Sequence, residues 1–145
     1  MKVRALKNYR AQVEDRIRAE CLELSRTLEE AEAARARLEA DEERQAQAFL
    51  TQSASGIRPD EAAMHVAGID ALSSVIARAK EREAGLRAAV EQKRAELIEA
   101  SRERKKLEVL EERREREARS AEGRKTQQRL DEIAARRLLT DKGAV

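Results

Sequence analysis

Apolar and small side chains recur every three or four residues along most of the chain, in two separate runs. The first run passes through Leu6, Tyr9, Val13, Ile17, Cys21, Leu24, Leu28, Ala31 and Leu38. The second passes through Ile69, Leu72, Ile76, Ala79, Leu86, Val90, Leu97 and Leu107. This spacing places each run on one face of an α-helix. Three successive steps of four residues, from Tyr9 to Cys21, predict a stutter that locally straightens a left-handed supercoil.

One stretch, TQSASGIRPDE at residues 51–61, collects the residue types that end helices and turn chains. Gly56 suits a left-handed helix C-cap, and Pro59 suits the first turn of a following helix. The sequence therefore predicts a helix over about residues 3–51, a loop over about 52–59 and a second helix over about 60–138. A flexible tail follows over residues 140–145, and the whole chain forms a single elongated coiled-coil domain.

Both apolar stripes are narrow, which favours two helices packed as a pair over layers of a large core. A short loop between them favours antiparallel neighbours, so the predicted fold is all-α, an antiparallel coiled-coil hairpin. Reversal at residues 52–59 would pair Leu38 with Leu72 and Val3 with Leu107. Beyond about Leu110 the second helix then overhangs the first. Apolar residues return in the overhang at Leu130, Ile133, Ala134, Leu138 and Leu139, where nothing in the chain remains to cover them.

Composition supports a long-helix architecture and narrows the possible partners. Charged residues make up 41% of the chain and aromatic residues 1%, so there is little material for a compact core. The two signs of charge are interleaved and the formal net charge is only +2, which argues against binding to nucleic acid or anionic lipid. With no apolar run of membrane-spanning length and a single cysteine, a soluble cytoplasmic protein is predicted.

The sequence offers no candidate for catalysis. It contains no Gly-rich phosphate loop, no nucleophile elbow and no cluster of cysteine and histidine. His65 is the single histidine and is interpreted as an incidental residue beside the loop. Cys21 lies on the first stripe, where it is expected to be a small buried hydrophobe rather than a redox thiol. We therefore predict a protein that is not an enzyme and that has no cofactor and no bound metal.

Several elements together resemble the flagellar export protein FliJ family. They are the loop element GIRPDE before an apolar helix start, an Arg/Lys cluster before Leu107 and Leu110, the run LEERREREAR, and the segment KTQQRLDEIA at residues 125–134. The resemblance covers nearly all 145 residues in length and two-helix plan. The injectisome counterpart of the same export component is a related interpretation.

The resemblance implies a cytoplasmic component of the flagellar type III protein export apparatus, at the cytoplasmic face of the inner membrane. Family members are stalk-like coiled coils that bind and activate the export ATPase hexamer, contact the cytoplasmic domain of the export gate, and act as export chaperones or chaperone escorts. Carried over by position, ATPase binding is expected at Arg4, Lys7, Lys125, Gln128, Leu130, Asp131, Ile133 and Ala134. Export-gate binding is expected at Ile69 and Leu72.

Alternatives to this function remain open on the sequence alone. A generic structural coiled coil, self-associating through residues 130–139, explains the stripes and the charge pattern equally well. The stalk protein of a virulence type III secretion system is the second alternative. A nucleic-acid-binding helix is the third, but glutamates interrupt its basic run, and they would face the same phosphates.

Overall fold

The computed structural model describes residues 2–143, and two α-helices account for nearly all of them. Helix α1 spans Lys2–Ser55 and helix α2 spans Pro59–Gly143. The described residues contain no strand. The two helices pack against each other as a helical hairpin, which confirms the predicted all-α fold. Of the tail predicted at residues 140–145, positions 140–143 belong to α2, and residues 144 and 145 lie outside the described residues.

The chain reverses over residues 56–58, between the two helices. Gly56 has a φ of 86°, the left-handed conformation that favours glycine, and its N–H donates to the Ser53 carbonyl at 3.2 Å. Pro59 opens α2, where its missing N–H leaves no partner unsatisfied, and Asp60 and Glu61 follow in the first turn. The predicted capping roles of Gly56 and Pro59 are thereby confirmed.

The hairpin divides into two compact units, which are described separately. The turn unit is Glu14–Glu99 and contains the chain reversal. The terminal unit combines Met1–Val13 with Ala100–Val145.

In both units one row of side chains on each helix is covered by the other helix, and we call these rows the seam. On α1 the seam runs through Val3, Lys7, Arg10, Glu14, Ile17, Cys21, Leu24, Leu28, Ala31, Arg35, Leu38 and Glu42, all buried or half-buried. On α2 it runs through Ile69, Leu72, Ile76, Ala79, Glu83, Leu86, Val90, Lys93, Leu97, Ala100, Arg104, Leu107 and Glu111. Steps of three and four alternate throughout, which is the heptad pattern of a left-handed coiled coil.

The seam corrects the stripe predicted near the start of α1. Leu6 is 45% exposed and Tyr9 is 58% exposed, so neither is covered by α2. Lys7 and Glu14 occupy the covered positions instead, and with them the heptads run without interruption. The predicted stutter is therefore wrong. The stutter was predicted from the spacing of apolar residues, but in this part of α1 the residues in the seam are charged.

The apolar part of the seam is thin, and charged groups share it. Among the residues whose burial is described, Cys21, Ile76, Val90 and Ala100 are the buried apolar ones, and Val90 is only 2% exposed. Burial of Cys21 agrees with its interpretation as a small hydrophobe. The buried carboxylate of Glu83 lies in the same row. Because unpaired buried charges are costly, each such carboxylate needs a cation opposite it.

Ion pairs across the seam set the register of the turn unit, and this register differs from the predicted one. Arg35 bonds to Glu83, and Lys80 Nζ lies 3.5 Å from the Glu39 carboxylate. The predicted register would have placed Glu39 beside Leu72, so the observed pairing is displaced along α2 by about two helical turns. The helix α1 continues to Ser55 and the reversal needs only three residues, which shifts the pairing toward higher residue numbers in α2.

Candidate functional site

The last part of α2 is a single helix that α1 does not cover. Every side chain from Glu112 to Lys142 is exposed, and we call residues 112–142 the overhang. Four large apolar side chains lie in it, with exposed fractions of 55% for Leu130, 48% for Ile133, 64% for Leu138 and 72% for Leu139. Apolar groups left this open are normal singly, but several within ten residues favour a surface that a partner covers.

The six residues predicted for ATPase binding in the overhang lie on more than one helix face. Leu130, Ile133 and Ala134 are related by steps of three and four, so they share a face. Lys125 and Gln128 continue the spacing of the seam beyond Glu111 and lie on a different face. All five are exposed. The structure therefore brings together the apolar members of the predicted set, while Lys125 and Gln128 form a second group and Asp131 lies between the two groups.

Bonds within the overhang are local. Gln127 Nε2 donates to the Asp131 carboxylate at 3.0 Å, and Arg119 lies 3.7 Å from the carboxylate of Glu115. Thr126 Oγ1 donates to the Glu122 carbonyl at 3.0 Å. The two side-chain pairs each stabilise the helix by about 0.2–0.5 kcal/mol, whereas the Thr126 bond to a backbone carbonyl adds no such stability. Asp131 thus has one oxygen engaged within its own helix.

At the start of α1, Lys7 and Arg4 have different environments. Lys7 is a seam residue, and its Nζ lies 2.6 Å from the Glu111 carboxylate. This hydrogen bond lowers the pKa of Glu111 below its ordinary value. Arg4 is exposed and lines a surface cleft of about 530 Å³ that Val3, Arg114 and Ala118 also border. A partner could contact Arg4 directly, whereas Lys7 is already engaged by α2.

At the chain reversal, Ile69 and Leu72 are half-buried seam residues, so only their edges reach solvent. The more exposed apolar side chain of this region is Met64, at 76%. Met64 lines a cleft whose other residues are Gln45, Ala48, Gln52, Glu61, His65 and Gly68. This cleft gives the predicted gate-binding region an open surface one to two turns before Ile69.

His65 has a defined position at that cleft. Its Nε2 lies 2.6 Å from Gln52 Oε1, and its ring centroid lies 5.5 Å from that of Phe49. These contacts tie the start of α2 to the end of α1. His65 is therefore a packing residue of the turn unit, a role that its isolated position in the sequence did not reveal.

Comparison with known proteins decides the family. The family model described as "Flagellar FliJ protein" matches residues 2–143, which is nearly the whole chain. The chain belongs to the flagellar FliJ family. In the same comparisons no curated protein and no solved structure matches it.

As a FliJ-family protein, the chain is a component of the flagellar export apparatus, in which the family has a non-catalytic part. Among the described residues, no helix is long and apolar enough to cross a membrane. The side chains that the structure describes form no cluster of three or more potential metal ligands.

Two features of this FliJ-family site escaped sequence reasoning. Glu111 is not among the residues that the sequence predicts for the packed face, but it lies in the seam and engages Lys7. Met64 was not selected, because a lone methionine beside a loop has no periodic partner in the sequence. The seam spacing of seven residues from Arg104 to Glu111 was the available signal for the first. Nothing in the sequence pattern marks the second.

Proposed function

We propose that the chain is a stalk-like activator of the export ATPase, which it binds through the overhang and the exposed start of α1. In this proposal it also links the ATPase to the cytoplasmic domain of the export gate and serves as an export chaperone or chaperone escort. It would do so at the cytoplasmic face of the inner membrane. The family places the protein in the export apparatus, and these specific roles go beyond that placement.

The observation that carries the proposal is the overhang itself. It is a continuous helix whose side chains from Glu112 to Lys142 are all exposed, with Leu130 and Ile133 on one face. A helix of this kind gains little stability from its own sequence, because helices in proteins are held mainly by packing of an apolar face. Insertion into a ring of subunits would provide that packing.

For gate binding, the support is the surface around the chain reversal. Ile69 and Leu72 lie beside a cleft that contains the exposed Met64, and Leu50 nearby in α1 is 60% exposed. Exposed apolar side chains flanked by polar groups are typical of protein–protein contacts. We propose that a gate domain contacts Met64 together with the accessible edges of Ile69 and Leu72.

The test of ATPase binding uses the purified full-length chain and the flagellar export ATPase. We expect the two to copurify and ATP hydrolysis to be stimulated. The variant Leu130→Asn/Ile133→Asn should raise the concentration needed for half-maximal stimulation by about tenfold, because two apolar contacts are lost. A truncation after Glu122 should abolish stimulation. The matched control is Leu22→Asn, which changes a residue that is 53% exposed in α1 and should leave stimulation unchanged.

Equal stimulation by the truncated chain would remove the overhang from the ATPase contact. Loss of stimulation in Leu22→Asn as well would mean that the assay reports folding rather than the site.

Self-association is the second candidate, favoured by the same exposed Leu138 and Leu139. Sedimentation velocity of the full-length chain separates the two candidates. A monomer supports the stalk-like role, whereas a stable dimer that Leu138→Asn/Leu139→Asn dissociates would support a structural spacer.

A further inference from the structure

Within the terminal unit, the side of α2 that faces away from the seam becomes rich in basic residues. Between residues 102 and 116 its outward positions hold Arg102, Lys105, Lys106, Val109, Glu112, Arg113 and Arg116, and all of them are exposed. Five are cations, and Glu112 at one edge is the single acid. The other acids of this segment, such as Glu103, Glu108 and Glu111, lie in the seam or along its flanks. The charges that look interleaved in sequence are therefore segregated by helix face.

Three of these five cations have no ion-pair partner among the described residues. Lys106 Nζ lies 3.1 Å from Glu103 in an exposed pair, which is worth little in water. Lys105, Arg113 and Arg116 form no ion pair with the residues that the structure describes. A row of like charges along a helix is self-repelling, so it does not serve the stability of α2.

Val109 lies in the middle of this row and is 58% exposed. It forms the floor of a shallow depression that Arg102, Lys105 and Lys106 wall. An apolar floor ringed by cations is complementary to an apolar side chain flanked by carboxylates. That arrangement occurs on an acidic amphipathic helix, where residues three and four positions apart share one face.

We propose that the outer face formed by Arg102, Lys105, Lys106, Val109, Arg113 and Arg116 is a docking surface for an acidic amphipathic helix of a partner protein. One apolar side chain of the partner contacts Val109, and its flanking carboxylates pair with Lys105, Lys106 and Arg113. Arg113 and Arg116 belong to the overhang, but the apolar residues through which the overhang is proposed to contact the ATPase, Leu130 and Ile133, lie further along α2 and play no part here.

Other polyanions fit this face less well. Nucleic acid would use the cations but would leave Val109 without a role, and no aromatic side chain lies on this face for base stacking. An anionic membrane would need a broad apolar face to insert, whereas this face offers a single valine. Charge and the central apolar contact together favour a protein helix.

The test measures binding of a fluorescein-labelled 18-residue peptide by anisotropy, using the full-length chain. The peptide is designed as a Glu/Ala helix with leucines at positions 8 and 12 and glutamates three and four residues from each. We expect saturable binding. Lys105→Gln/Lys106→Gln/Arg113→Gln should weaken it by about tenfold, and Val109→Ser by about fivefold. The matched control, Arg37→Gln/Arg78→Gln/Arg82→Gln, removes the same charge from exposed positions of the turn unit and should change Kd less than twofold, about the effect of net charge alone.

Three results would overturn the proposal. The first is absence of peptide binding, or equal weakening by the control triple. The second is displacement of the peptide by a 20-base-pair DNA duplex with no effect of Val109→Ser, which would indicate a phosphate-binding face. The third is binding to phosphatidylserine vesicles in place of the peptide. ATPase stimulation by Val109→Ser and by Lys105→Gln/Lys106→Gln, which lie outside the overhang, should remain at the parent level, so failure here and failure of the proposed function can be told apart.

Discussion

Arg35 donates two hydrogen bonds to Glu83 across the seam, one from Nε to Oε2 and one from Nη2 to Oε1 at 3.3 Å. The Glu83 side chain is buried, and Arg87 and Glu39 extend the same network at 3.0 Å each. Hydrogen bonding from Arg35 lowers the pKa of Glu83, and the same bond raises the pKa of Arg35. In a two-helix hairpin with so thin an apolar core, this pair selects one register among several that the apolar residues would allow.

Removing one partner of this pair should lower the melting temperature more than removing both partners. Arg35→Ala leaves the Glu83 carboxylate buried beside a gap, so we expect the melting temperature to fall by several degrees. Arg35→Met/Glu83→Leu should restore the melting temperature to the parent value or above, because no buried charge remains. Disulfide crosslinking of cysteines introduced at Glu39 and Lys80 should then become less selective for that pairing. A double variant as unstable as Arg35→Ala would contradict this account.

Acid should weaken the hairpin through three carboxylates that form ion pairs between the two helices. Each has a lowered pKa because a cation of the other helix hydrogen-bonds to it: Glu20 with Lys93, Glu83 with Arg35, and Glu111 with Lys7. A lowered folded-state pKa contributes stability above the unfolded value of about 4.3, and that stability is lost as pH falls through the folded pKa. We expect a flat melting temperature from pH 5 to 8 and a decline below about pH 4.

The matched variant for this pH dependence is Glu20→Gln/Glu83→Gln/Glu111→Gln. Its melting temperature should be lower than that of the parent at pH 7, and its decline on acidification should be smaller. Circular dichroism melts at pH 3, 4, 5 and 7 make the comparison. An equally steep decline in the variant would assign the acid sensitivity to other carboxylates.

The buried valine of the turn unit should matter more than an exposed one. Val90 is 2% exposed, so Val90→Ala should lower the free energy of unfolding by about 1–3 kcal/mol. Val66 is 47% exposed on the same helix, and Val66→Ala should change it by about 0.5 kcal/mol or less. Urea unfolding followed by ellipticity measures both. Similar values for the two variants would mean that Val90 is not covered by α1.

The corrected seam near the start of α1 makes a separate prediction. Tyr9→Ala should change the free energy of unfolding by about 0.5 kcal/mol or less, since Tyr9 is 58% exposed. Ile17→Ala, in the seam, should lower it by about 1–3 kcal/mol. A larger decrease in the free energy of unfolding for Tyr9→Ala than for Ile17→Ala would mean that the row through Leu6 and Tyr9 packs against α2 after all.

Glycine substitutions test whether the overhang is helical in the free protein. Nothing lies within 4 Å of a Cβ added at Gly123, so Gly123→Ala should stabilise a helix there by about 0.5–1 kcal/mol. Slower amide hydrogen exchange in the overhang would show it. Gly56→Ala is the opposite case, because its φ of 86° is costly for alanine, and this variant should lower the melting temperature. Unchanged exchange in Gly123→Ala would indicate that the overhang becomes helical only when bound.

Apolar spacing was sufficient to predict the all-α hairpin and the uncovered end of α2, because helix type and length follow from periodicity over long windows. It was not sufficient for the seam at Lys7 and Glu14. There the covered positions are charged, and the nearby Leu6 and Tyr9 offered a more apolar row that lies beside the seam. The predicted register of the two helices was wrong for a related reason. It depends on which cation meets which carboxylate, and a sequence with 31 basic and 29 acidic residues allows many such pairings.

For the candidate site, the exposed Leu130 and Ile133 were identifiable because no partner stripe remained in the chain to cover them. The outer basic face was not, since sequence order alternates glutamates with arginines and only the seam shows which of them point the same way. The position of Met64 at a cleft depends on the close approach of α1 and α2, which no local pattern encodes.

The three-residue reversal at 56–58 also determines the order in which contacts can form. His65 and Gln52 are 13 residues apart in sequence, Arg35 and Glu83 are 48 apart, and Lys93 and Glu20 are 73 apart. A contact between residues far apart in sequence has a large entropic cost if it must close the whole intervening loop. That cost is smaller when the contact nearer to the reversal has already formed, because the loop that remains to be closed is then short. We therefore expect folding to nucleate at Gly56 and pairing of the helices to spread away from it, so that a nascent chain gains its first hydrogen bond between the two helices only after His65 has been synthesised.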